Sequence, residues 1–144
     1  MNNPYQAPQA QLADAPEPTR PRQINFALVL MWLSLIGGAV YGVVDMADEP
    51  DQAAAILMIA FSGVIVLVSG VPLIFIALGH NWARWAWAAL LLTGWVLTFV
   101  YWEESFATVG DILIQGFLGV LDAVAIYLLF AAPSAQWFKR ARSR

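Results

Sequence analysis

Asp122 is the only charged side chain between residues 112 and 138. A carboxyl group in so apolar a stretch can carry a proton, bind a cation or accept hydrogen bonds, and acids buried in membrane segments are functional often enough to raise that hypothesis first. Gln115, Gly119 and Asp122, spaced by four and three residues, share one face of a helix. Ser34, Ser62, Ser69 and Thr93 fall near the middle of the other three apolar stretches, so polar groups from all four can meet around the acid. Two readings stay open. In the plainer one, a protonated Asp122 bonds to a hydroxyl, or to the Val68 carbonyl that Pro72 frees from the helical ladder. In the other, it binds a proton, an ion or a ligand. Ser34, Gly38 and Gly42 recur every four residues and make a small-residue stripe for close helix packing, within the chain or between copies.

Other chemistry is thinly represented. The chain has no cysteine and one histidine, whereas haem, iron–sulfur and structural zinc sites need several thiolates or imidazoles together. We therefore expect no cofactor and no bound metal. Asp45, Asp48, Glu49 and Asp51 lack the alternating oxygen ligands and central glycine of a calcium loop, and read as a solvated turn. His80 has no second imidazole or thiol to share a metal with. An aspartyl intramembrane protease needs a pair of acids, a serine hydrolase needs a base beside its nucleophile, and no glycine-rich phosphate loop occurs. The expectation is a protein that is not an enzyme.

The elements that must position these residues follow from composition. The chain of 144 residues is 60% hydrophobic and 12% charged, against about a quarter charged in ordinary soluble domains. Its charges are clumped between long apolar stretches. An apolar helix of about 20 residues crosses the roughly 30 Å hydrocarbon core, and four such spans are predicted at about residues 25–44, 53–78, 82–102 and 112–131. The fold class is all-α: a polytopic membrane protein with four transmembrane helices in an antiparallel bundle. Pro72 should kink or tilt the second span. Residues 79–81 are a short connection that returns the third span beside it, and residues 103–111 read as a polar loop. Residues 1–23, with five of the eight prolines, read as a disordered tail, and residues 133–144 as a basic tail.

All seven Lys and Arg fall on one side of this arrangement and seven of the ten acids on the other. Because basic residues near span ends stay cytoplasmic, both termini are expected inside, with two short acidic loops outside. The expected partners are the lipid bilayer and either another membrane protein or a second copy of the chain, and not nucleic acid. Trp137, Phe138 and the basic residues after them can lie on anionic lipid or act only as a topology signal.

The opening Asn3-Pro4-Tyr5-Gln6-Ala7-Pro8 resembles a short leader found on several kinds of small bacterial inner-membrane protein. The ending Tyr127-Leu128-Leu129-Phe130 with Trp137-Phe138 resembles the close of four-span members of that group. The resemblance covers about a tenth of the chain and implies an inner-membrane setting without naming an activity. Small multidrug transporters also have four spans, but their essential acid is a glutamate in the first, and the first span here has no interior acid. The expected role is a structural, interaction or accessory subunit. The alternative is a small oligomeric proton-coupled transporter or channel that uses Asp122.

Overall fold

The computed structural model describes residues 20–46 and 51–141, except for the side chains at 103, 104, 140 and 141. Within them the chain forms α1 (Arg22–Asp45), α2 (Gln52–Ala77), α3 (Asn81–Val100), α4 (Trp102–Ser105), α5 (Val109–Phe130) and α6 (Ala132–Ala141). The helices α1, α2, α3 and α5 are long and apolar enough to span a membrane, and the protein is a multi-pass membrane bundle. Most large apolar side chains are exposed along these four helices. That surface suits lipid, where no water has to be excluded. Of the tail expected over residues 1–23, positions 1–19 lie outside the described residues, while Arg22 and Gln23 already belong to α1. Asp48 and Glu49 also lie outside the described residues.

Each turn has a readable local cause. Asp51 caps α2 by accepting from the backbone amides of Ala53 and Ala54 at 2.9 and 3.2 Å, satisfying donors that no helical carbonyl reaches. At the other end of α2, Gly79 adopts φ 87°, its amide bonds to the Ile76 carbonyl and the His80 amide bonds to that of Phe75. This is a Schellman closure, whose left-handed residue favours glycine. His80 then packs its ring edge-on against Phe75, with centroids 5.1 Å apart.

The stretch expected to be a polar loop over residues 103–111 is mostly helical. The third span ends at Val100, Trp102 begins the short α4, and α5 starts at Val109. The cause is a capping box: the Asp111 amide donates to the Thr108 hydroxyl and the Thr108 amide donates to the Asp111 carboxylate. The same carboxylate accepts the Tyr41 hydroxyl, tying α1 to α5 near this end. Pro72 lies inside α2, which runs unbroken from Gln52 to Ala77.

Around the bundle, α1 packs against both α2 and α5, and α2 against α3, whereas α3 and α5 meet only sparsely. The buried layer is concentrated at one end. Ile24, Met31, Leu73, Ile76, Ala83 and Leu129 are fully enclosed there. We call this the basic end, because Arg84 and Lys139 lie at it and the Arg20 guanidinium donates to the Ala77 carbonyl at the C-terminus of α2. Asp45, Asp51 and Asp111 lie at the opposite, acidic end. At α2 and α5 the helix dipoles agree with this division, since Asp51 and Asp111 sit at their N-termini and Arg20 reaches the C-terminus of α2.

The basic tail expected over residues 133–144 is, through Ala141, the helix α6. Its backbone breaks from α5 at Ala131, where ψ is 154°. The Ser134 hydroxyl bonds back to the Leu128 carbonyl at 2.7 Å, and Phe138 is completely buried. The far half of the bundle has no comparable layer: no residue in the first turns of α2 and α5 is buried.

Candidate functional site

The uneven packing leaves a cavity of about 320 Å³ among α1, α2, α3 and α5. Its floor is the mid-depth level of Ser34, Ser69, Trp87 and Asp122, directly above the buried layer. From there it runs past Gly38, Leu118 and Trp95 toward Ser62, Thr98 and Gln115 at the acidic end. At about 30 Å³ per water it has room for about ten waters, or for one small organic molecule.

Each wall follows from helical spacing. Gln115, Leu118, Gly119 and Asp122 are one stripe of α5, and Trp87, Leu91, Gly94, Trp95 and Thr98 one stripe of α3. Asp122 is 8% exposed. Its Oδ1 is buried with no hydrogen-bond partner, and so is Nε1 of Trp87 across the floor. Ser34, also buried, turns its hydroxyl toward the Asp122 carboxyl from α1. One unpaired acceptor and one unpaired donor therefore belong to residues that line this cavity. A buried polar atom without a partner carries a penalty of about 1–3 kcal/mol that a bound group can relieve.

The polar groups on the walls do little to join the helices. Ser62 and Thr98 donate to the carbonyls of Met58 and Gly94, one turn back in their own helices. The bond of Tyr41 to Asp111, which ties α1 to α5, lies outside the cavity.

Five of the six polar residues singled out from the sequence, Ser34, Ser62, Ser69, Gln115 and Asp122, line the cavity. Thr93 does not. It lies in a shallow groove between α2 and α3 with Val68 and Pro72, and its hydroxyl bonds to the Ala89 carbonyl. Depth alone selected it, although its position on α3 is turned away from the stripe that holds Trp95 and Thr98. For the same reason the Val68 carbonyl is no partner for Asp122, since the Pro72 side of α2 belongs to that other groove. Thr98 and Trp87 were missed, and the seven- and eleven-residue steps from Trp87 to Gly94 and Thr98 are the signal that would have found them.

In the small-residue stripe, Ser34 is buried and Gly38 faces Leu118 of α5, where an added Cβ would stand 3.8 Å from Cδ1. The tighter approach is at Gly37, whose added Cβ would meet Leu118 Cδ2 at 3.2 Å. Gly42 has nothing within 4 Å.

Trp95 is the side chain that closes the α3–α5 seam. Its ring lies over Gly119, so closely that a Cβ there would fall 2.1 Å from Cζ2. A groove on the outside of the seam is lined by Leu92, Gly116, Val120 and Ile126, and shares Trp95 and Asp122 with the cavity. No family model, curated protein or solved structure matches the chain.

Proposed function

We propose that the chain is a small membrane carrier that binds a cationic or hydrogen-bond-donating solute in its interior cavity, with Asp122 as the group that takes up and releases a proton. The observation that carries this reading is the convergence of polar side chains from four helices on a shared space, with Asp122 Oδ1 left open. A carboxylate beside the indoles of Trp87 and Trp95 is suited to an ammonium group, which gains from both charge and ring. The packed basic end and the open acidic end fit a carrier accessible from one side at a time.

The test is reconstitution in vesicles that contain a pH-sensitive dye, with a graded series of alkylammonium ions added outside. Wild-type protein is expected to move protons in response to some members of the series. Asp122→Asn keeps shape and hydrogen bonding but cannot titrate, and should reduce the response to that of protein-free vesicles. An Asn variant with full proton movement would refute the role given to Asp122.

A second reading, an accessory subunit without transport activity, is favoured by the sparse α3–α5 contact, since the groove there has room for a partner helix. Purification in mild detergent separates the two. A carrier isolates alone or with copies of itself, an accessory subunit with a different protein.

We further propose residence in a bacterial inner membrane with both termini cytoplasmic. The support is the collection of Arg20, Arg84 and Lys139 at one end of the bundle and of Asp45, Asp51 and Asp111 at the other. The absence of native cysteine makes labelling direct. Cysteine placed at Ser105 should react with an impermeant reagent in intact cells, and cysteine at Ser143 only after permeabilisation. The reverse pattern would invert the orientation.

A further inference from the structure

We propose that Arg84 forms a binding site for a phosphate group at the basic end, independent of the interior cavity. From the sequence Arg84 reads as a topology signal beside a turn, yet it is only 8% exposed. Its guanidinium carbon lies 4.8 Å from the ring centroid of Phe130 and 5.2 Å from that of Phe138, where α5 gives way to α6. The Phe130 ring is held in turn by Trp85, with centroids 4.8 Å apart in an edge-on contact.

Two aromatic rings and the C-terminal end of α5 favour the positive charge here, but the phenylalanine rings offer no oxygen or nitrogen to accept an N–H. Nε and Nη1 are both buried without a hydrogen-bond partner. They belong to different edges of the planar group, so each edge that can engage an oxyanion bidentately holds an open donor. Among the described residues no acidic side chain lies at this end of the bundle. A cation with open donors and no protein counter-ion has the chemistry of an anion site.

Depth identifies the anion. Arg84 is three residues beyond Asn81, the first residue of α3, so it lies about 4.5 Å along the helix from its end. The neighbouring Trp82 and Trp85 are exposed, as befits aromatic residues at the headgroup level. Lys139 on α6 is exposed nearby in sequence to the buried Phe138. The acceptor abundant at that depth is phosphate, presented by an anionic lipid or free in the adjoining water.

The experiment uses the full chain in a neutral detergent and reads the thermal midpoint during titration with phosphatidylglycerol, phosphatidylcholine or inorganic phosphate. We expect phosphatidylglycerol to raise the midpoint in a saturable way and phosphatidylcholine to leave it unchanged. An equal rise with inorganic phosphate assigns the site to the free ion, and a rise with the lipid alone assigns it to a headgroup. Arg84→Gln should abolish the rise, while Lys139→Gln should retain it. Arg84→Lys keeps the charge on a more tolerant side chain but loses the planar fork, and should weaken apparent affinity about tenfold. The lysine variant keeps the question answerable if the glutamine variant fails to fold. Equal shifts with phosphatidylcholine, or an undiminished shift in either Arg84 variant, would overturn the proposal.

Discussion

Phe138→Ala is expected to cost about 3–5 kcal/mol of stability and to release α6 from the bundle. Phe138 is completely buried, and its ring has Trp137 edge-on at 4.9 Å and the Arg84 guanidinium at 5.2 Å. Removing it opens a void beside a buried cation and deletes one of the two rings facing that cation. What then still holds α6 is Trp137, packed against the same core, and the bond from Ser134 to the Leu128 carbonyl, the latter worth about 1 kcal/mol net. Denaturant titration in detergent should report the loss, and limited proteolysis should show cleavage between Ala131 and Phe138 that the wild type resists. Phe138→Leu retains most of the volume without the aromatic face. Its cost should stay near about 1.5 kcal/mol, with the excess attributable to the lost ring–cation contact. An alanine variant as stable and as protease-resistant as the wild type would show that α6 is not docked.

Gly119→Ala should disrupt the α3–α5 seam although it adds a single methyl group. The new Cβ would stand 2.1 Å from Cζ2 and 2.4 Å from Cη2 of Trp95, far inside van der Waals contact. An indole moves as a rigid plate, so the ring must rotate as a whole, either into the cavity or out into the seam groove. Overpacking of this kind costs about 1–3 kcal/mol. Gly116→Ala, one turn away on the same helix, has nothing within 4 Å of the added methyl. It should instead gain the roughly 0.5–1 kcal/mol by which alanine exceeds glycine inside a helix. The opposite signs at two neighbouring glycines make a sharp comparison. Combining Gly119→Ala with Trp95→Ala should recover part of the loss, and that non-additivity measures the contact directly. Additive effects would place Trp95 elsewhere.

The two variants probe different links of the argument. Phe138→Ala tests the closed basic end, which carries the buried Arg84. Gly119→Ala tests the seam through which the interior cavity meets the lipid-facing groove. For the carrier reading it predicts altered access to Asp122 with the carboxyl group intact.

Hydropathy and charge placement alone determined the four spans and the segregation of acids from bases, because both reflect the transfer of side chains between water and hydrocarbon, which each residue undergoes largely on its own. The α5 face holding Gln115, Gly119 and Asp122 was legible too, since helical periodicity is a one-dimensional property. The Thr108–Asp111 capping box was equally present in the sequence as a Thr-x-x-Asp pattern, and reading residues 103–111 as a loop overlooked it. What only the tertiary structure decided is where the helices fail to touch. The placement of Thr98 rather than Thr93 on the cavity wall depends on how α3 is rotated against its neighbours. The same holds for the contact of Trp95 with Gly119 and the burial of Arg84 against Phe130 and Phe138. Rotation is fixed by packing between residues far apart in the chain, and in a helix apolar on nearly every side no hydrophobic stripe announces which face turns inward.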